Sequence, residues 1–167
     1  ENRIALLYTF SQRGVDSTFS EAVIEALTQD FNNEQELMPF VVRALGDMAI
    51  DKRSSQQESP VPSEFLKTAL KSDQEKLVLE AIIAATRQEK MDLAYVIADQ
   101  LANQDKLIFH TAFQALAKLN AYQAALFKLG SPTTRQGASF ALMRMHDPKL
   151  VQKLITQVQK EKNGQVQ

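Results

Sequence analysis

Apolar residues recur at helical spacing along most of the chain, and short polar segments separate the apolar runs. Residues three, four and seven positions apart lie on one face of an α-helix, so each run predicts an amphipathic helix. The glycines and prolines, five of each, are interpreted as punctuation between helices. The predicted helices span residues 2–13, 18–31, 36–50, 64–71, 73–88, 91–103, 105–119, 121–129, 133–145 and 149–160.

Local residues indicate where several of these helices begin. Ser63 and Asp73 are predicted N-caps, because their side chains can accept hydrogen bonds from the free N–H groups of a first helical turn. The Asp147-Pro148 pair predicts another start, with the aspartate as the cap and the proline at the first helical position. Pro39 fits a helix only in its first turn, where the missing N–H has no intrahelical partner.

One internal segment lacks helical periodicity. Residues 51–62, DKRSSQQESPVP, are polar, end in two prolines and predict one long loop. Residues 162–167 are expected to fray, as chain ends commonly do. Because the other segments predict helices, the sequence indicates an all-α protein that forms a single domain over residues 1–167.

Small residues recur in register in the helices that follow successive turns. A small side chain lets two helix axes approach within about 8 to 10 Å, so such positions are expected at helix crossings. They form four residue pairs: Ala44-Leu45, Ala84-Ala85, Ala115-Leu116 and Ala141-Leu142. Successive pairs begin 40, 31 and 26 residues apart, and Ala81, Ala112 and Ala138 precede the last three pairs by three residues.

An irregular repeat of helix pairs is typical of HEAT arrays, whereas tetratricopeptide and ankyrin repeats keep to about 34 and about 33 residues. The predicted architecture is therefore a HEAT-like α-α superhelix, a right-handed stack of antiparallel helix pairs. Two segments also resemble the HEAT segments of large secreted or periplasmic bacterial proteins related to sorbosone dehydrogenase. They are RQGASFALMRMHDPKLVQKLI at 135–155 and KLVLEAIIAA at 76–85.

That resemblance implies a position between a β-propeller and a c-type cytochrome domain, in a spacer or docking role. The chain has no Cys-x-x-Cys-His haem motif and no strand-rich segment, so no functional residue of the family is carried over. Since the sequence begins at Glu1 without an initiator methionine, we expect a fragment of a larger protein. The expected location is periplasmic or secreted if the resemblance holds, and cytoplasmic otherwise.

Charge and composition narrow the classes of partner. The 19 basic and 20 acidic residues give a formal net charge of −1, which supplies no broad field toward phosphate backbones or anionic lipid. The absence of cysteine excludes disulfides, thiolate metal sites and cysteine nucleophiles. No apolar run reaches the roughly 18 to 20 residues of a membrane-spanning helix. Membrane and nucleic-acid partners are therefore disfavoured.

Residues capable of catalysis are few and scattered. His110 and His146 are the two histidines, and neither has a serine elbow or a second histidine at metal-ligand spacing, so both are expected to be structural or solvent-facing. The candidate carboxylates fall on separate segments and are interpreted as solvated, which predicts no enzyme activity, no cofactor and no metal site. They are Asp47, Asp51, Glu80, Asp92 and Asp99.

A thin basic track accompanies the second helix of successive pairs. It supports, as an alternative, a HEAT-fold nucleic-acid-binding protein or a lyase- or glycosylase-type enzyme. Five cations in a neutral chain neutralise few phosphates, so these side chains are expected instead to bond helix-end carbonyls and to bridge neighbouring repeats. The track comprises Arg43, Arg87, Lys118, Arg135 and Arg144.

The leading hypothesis is a non-enzymatic interaction or scaffold module that binds a protein or a neighbouring domain. In such an array the exposed side of the second helices usually forms the binding surface. The candidate interaction residues are Arg43, Arg87, Gln114 and Arg144, together with the loop 51–62.

Overall fold

The structure is a computed structural model that describes residues 4–5, 9, 36–48, 61–145, 147, 150–156 and 159 of the 167-residue chain. Across these residues the regular secondary structure is helical and contains no strand, which confirms the all-α prediction. Apart from helical residues 4, 5 and 9, the predicted helices 2–13 and 18–31 lie outside the described residues. So do residues 51–60 of the predicted loop and the tail 162–167.

The helices between residues 36 and 156 follow the predicted order. The segment predicted as one helix over 91–103 is a short α-helix with a 3₁₀ turn at each end, Met91–Leu93 and Gln100–Ala102. Residues 150–156 are also helical. The remaining α-helices are labelled α1 (Met38–Met48), α2 (Ser63–Leu70), α3 (Glu75–Arg87), α4 (Ala94–Asp99), α5 (Lys106–Lys118), α6 (Tyr122–Lys128) and α7 (Arg135–Arg144).

The two predicted serine and aspartate caps are wrong. Ser63 is the first residue of α2, and the carbonyl of Pro62 before it accepts the N–H groups of Phe65 and Leu66. Asp73 precedes Gln74, which is the residue before α3, and the Ser72 hydroxyl accepts the Gln74 N–H at 3.1 Å. The N-cap positions are held by Pro62 and Gln74, and neither makes a side-chain capping hydrogen bond.

The position of Pro39 agrees with the prediction. Pro39 is the second residue of α1, within the first turn, where no N–H is required. The Asp147 carbonyl accepts the Leu150 N–H at 3.0 Å at the start of the last described helical segment. Pro148 lies outside the described residues.

The α-helices pack in two rows. Helices α1, α3, α5 and α7 contact one another in that order and form what we term the long row. Helices α2, α4 and α6 form the short row. Each short-row helix also packs against the long-row helix that follows it in the chain. The core therefore lies between two layers of helices, and sequential helices alternate between the layers.

The in-register small residues lie in the core. All eight residues of the alanine pairs are buried, and Ala81, Ala112 and Ala138 are completely buried. This agrees with their predicted place at helix crossings.

Two glycines were wrongly interpreted as punctuation, since Gly46 lies inside α1 and Gly137 inside α7. A Cβ atom on Gly46 would stand 2.8 Å from the Ala84 Cβ and 2.9 Å from its Cα. On Gly137 it would stand 2.8 Å from carbon atoms of both Leu101 and Phe109. Close approach of helix backbones, not a turn, therefore requires glycine at Gly46, whereas at Gly137 the space is taken by side-chain atoms.

Substitution at the crossings should be costly. Ala112→Leu and Ala138→Leu are each expected to reduce the free energy of unfolding by about 1 to 3 kcal/mol, because leucine overpacks a filled site. Ala102→Leu is the matched control, since Ala102 is exposed. Denaturant unfolding measures the difference, and unchanged stability in both core variants would show that these sites can accommodate the extra volume.

Gly46→Ala provides a second test of the α1–α3 crossing. Helix propensity alone favours alanine over glycine by about 1 kcal/mol. Overpacking against the backbone of Ala84 opposes this gain, and we expect a net loss of about 1 to 2 kcal/mol in unfolding free energy. Gly130→Ala is the control, because its Cβ would meet nothing closer than 3.9 Å. A stabilised Gly46→Ala chain would contradict the close approach.

Candidate functional site

The four predicted interaction residues all lie on the long row, one on each helix. Arg43 is on α1, Gln114 on α5 and Arg144 at the end of α7, and all three are exposed. Arg87 is the last residue of α3 and is half-buried. Three of the four, Arg87, Gln114 and Arg144, line one surface groove, whereas Arg43 lies outside its lining.

This groove, termed the α3/α5/α7 groove, has a volume of about 510 Å³. Its lining contains three cations and no carboxylate. Three polar, uncharged side chains and three apolar ones complete the surface. The lining residues are Ile83, Thr86 and Arg87 of α3, Thr111, Gln114, Ala115, Ala117 and Lys118 of α5, and Arg144 of α7.

Charged side chains join α1 to α3 beside the groove. Arg43 Nη1 lies 3.5 Å from Glu80 Oε1, and Arg87 forms an ion pair with Asp47. A third contact places the Lys76 ammonium 4.0 Å from the centre of the Phe40 ring. Arg43 and Arg87 therefore each bridge two neighbouring helices. Arg135 bonds a helix-end carbonyl instead, donating from Nε to the Leu129 oxygen at 3.0 Å.

Glu80 corrects the interpretation of the carboxylates as solvated, because its side chain is buried between α3 and α1. Burial raises the pKa of Glu80, and the nearby charges of Arg43 and Lys76 oppose that rise. Burial also lowers the pKa of Arg87, with a smaller contribution from the charge of Arg43. An arginine nevertheless stays protonated at neutral pH, so its ion pair with Asp47 persists.

Aromatic packing orients the α7 side of the groove. Phe113 is buried, and its ring meets the edges of Phe109 and Phe140 at centroid distances of 5.6 Å in each case. The Arg144 guanidinium lies 5.2 Å from the centre of the Phe113 ring, which holds the cation near the groove. On α5, the Gln114 amide contacts the exposed His110 ring.

The other candidate residues do not assemble into a reactive centre within the described part of the chain. Asp99 pairs with Lys128 and Asp92 is exposed, while Asp51 and His146 lie outside the described residues. Among the residues that the structure places, no three of His, Asp or Glu are grouped to hold a metal ion. None of the described helices has the length and apolar character needed to cross a bilayer.

Comparison of the chain with protein-family models gives no match, and no curated protein is significantly similar to it.

The sequence analysis did not predict the threonines or the apolar residues that line the groove. Thr111, Gln114 and Lys118 are three and four positions apart on α5, so they share one helical face, and this spacing was the available signal. Lys118 belongs to the predicted basic track but not to the predicted interaction residues, and it lines the groove together with Arg144.

Glu80→Gln tests the buried carboxyl. A raised folded-state pKa means that the folded chain binds the Glu80 proton more tightly, so this stabilisation is complete below the ordinary value of 4.5 and is lost as pH rises through the folded pKa. Neutral glutamine does not show that loss. The variant is therefore expected to gain unfolding free energy relative to the unchanged chain as the pH rises above the ordinary value of 4.5.

Denaturant unfolding at several pH values measures this gain. Glu89→Gln removes an exposed carboxylate and serves as the control. If the Glu80→Gln advantage shrinks as pH rises, then the Arg43 pair outweighs the desolvation of Glu80.

Proposed function

We propose that the chain is a non-enzymatic interaction module of the HEAT type. In this proposal α2/α3, α4/α5 and α6/α7 are successive antiparallel pairs of a right-handed superhelix. The alternation of helices between two rows supports it, as does the burial of the alanine pairs along the long row. Stacked pairs of this kind commonly present one row as a continuous binding surface.

The exposed side of the long row is the proposed binding surface, and the partner is a protein or a neighbouring domain. The observation that carries this proposal is the α3/α5/α7 groove, which gathers Arg87, Gln114 and Arg144 with Lys118. The groove combines apolar side chains with a few converging polar groups, which is the usual composition of a recognition site.

The alternative functions need features that the groove lacks. Among its lining residues there is no carboxylate for acid-base chemistry. Of the predicted basic track, Arg43 and Arg87 are neutralised by Glu80 and Asp47. The few remaining cations neutralise few phosphates, which gives only weak nucleic-acid binding.

Site-specific photocrosslinking tests the proposed surface. A photoreactive residue is placed at Gln114 in the groove or at Gln123, which is exposed on α6 of the short row. In extract of the native host, the Gln114 position is expected to crosslink a partner protein that the Gln123 position does not. Charge-removing substitutions at Lys118 and Arg144 should lower that yield, and moderate salt should change it little because the overall field is weak.

Lys118 and Arg144 suit this test better than Arg87, because Arg87→Ala would also remove the ion pair with Asp47 that joins α1 to α3. Crosslinking of the same partner from Gln123 at equal yield would place binding elsewhere. Duplex DNA binding with a Kd below about 1 μM at physiological salt would instead favour the nucleic-acid function.

A further inference from the structure

The cations of the described residues differ in whether a carboxylate accompanies them. Lys67, Lys128 and Arg87 all lie in the last turn of a helix, and each has a carboxylate within ion-pair distance. Lys118 and Arg144 also lie in last turns, but neither has such a carboxylate within the described part of the chain. Favourable interaction with the helix dipole explains a cation at each of these ends. It does not explain why Lys118 and Arg144 line the same groove.

Hydrogen bonding in the groove leaves acceptors available between the cations. The Thr86 hydroxyl donates to the Ile82 carbonyl at 2.6 Å, and the Thr111 hydroxyl donates to the Leu107 carbonyl at 2.7 Å. Each hydroxyl has therefore used its one proton and can only accept from a ligand. Backbone N–H groups of a peptide are suitable donors for such acceptors, whereas phosphate oxygens are not.

Groove size limits what can bind. Its volume of about 510 Å³ falls within the range of about 300 to 1,000 Å³ that is usual for ligand pockets. Ile83 and the buried Ala115 give it an apolar part suited to a short side chain. No aromatic ring lines the groove, so it offers no platform on which a nucleic-acid base could stack.

On the basis of the proposed function, we infer that the α3/α5/α7 groove binds a short acidic segment of the partner protein. Lys118 and Arg144 bind its carboxylates, and Thr86 and Thr111 accept from its backbone N–H groups. Ile83 contacts an apolar side chain between the acidic residues. Arginine is well suited to a carboxylate because its planar guanidinium can donate two parallel hydrogen bonds.

Defined peptides test this specificity. A fluorescein-labelled peptide of alternating glutamate and leucine is compared by anisotropy with the same peptide carrying glutamine for glutamate, and with oligothymidylate of equal charge. We expect the acidic peptide to bind at least about tenfold more tightly than the glutamine peptide at low salt, because binding depends on the carboxylates. It should also bind more tightly than the oligonucleotide.

Two double variants with equal net charge distinguish the effect of the groove cations on binding from the effect of the overall charge of the protein. Lys118→Gln with Arg144→Gln removes the groove cations and should weaken acidic-peptide binding by about tenfold or more. Lys106→Gln with Arg135→Gln changes the first residues of the same two helices, outside the groove lining, and should leave binding unchanged. Both double variants lower the formal net charge from −1 to −3, so a difference between them cannot arise from total charge.

The inference is overturned by equal binding of the glutamine peptide, by tighter binding of the oligonucleotide, or by equal loss in the two double variants. Absence of any peptide binding also overturns it. In that case, partner crosslinking through Gln114 would still support the proposed function, whereas crosslinking through the short row would refute the function itself.

Discussion

Close approach between neighbouring helices of the long row is the constraint on which the remaining structure depends. At the α1–α3 crossing, Gly46 faces the Cα and Cβ of Ala84 with no room for another carbon atom. Completely buried alanines continue this pattern on α5 and α7. Because dispersion contacts decline steeply with distance, a wider spacing would lose contacts along the whole crossing.

The same proximity decides which polar side chains meet. With α1 and α3 in close contact, Arg43 reaches Glu80 and Asp47 reaches Arg87, so two cations of the long row are neutralised across the crossing. Between α5 and α7 the space is filled by the rings of Phe109, Phe113 and Phe140 instead. Carboxylates are therefore concentrated at one crossing and cations without them lie near the other, which gives a nearly neutral chain a local positive site.

Much of the helical framework was predictable, because its apolar spacing and small-residue register are local properties of the sequence. The Ala112 and Ala138 positions are buried as expected. The wrong predictions concerned features that depend on which of several adjacent residues accepts a hydrogen bond, or on tertiary packing. Pro62 and Ser72 supply acceptors near the ends that Ser63 and Asp73 were expected to cap. Burial of Glu80 depends on α1, which the pattern of α3 alone does not contain.

The candidate site was predictable only in part, for the same reason. One polar residue per long-row helix could be selected from periodicity, and three of the four share a groove. The excess positive charge of the groove could not be predicted from the sequence, since it depends on which cations meet a carboxylate across a helix crossing. Val61 shows the same limit, because it belongs to the segment predicted as a polar loop and yet is completely buried.

The unequal lengths of the two rows have a consequence for how the molecule opens. Helices α2, α4 and α6 contain 8, 6 and 7 residues, whereas α1, α3, α5 and α7 contain 10 to 13. A helix of about two turns has little stability of its own, because nucleation costs more than so few hydrogen bonds return. Backbone amides of the short row should therefore exchange with solvent through low-energy local openings, while the long row and its groove stay folded. Such a division lets one layer absorb thermal fluctuation without disturbing the groove on the other.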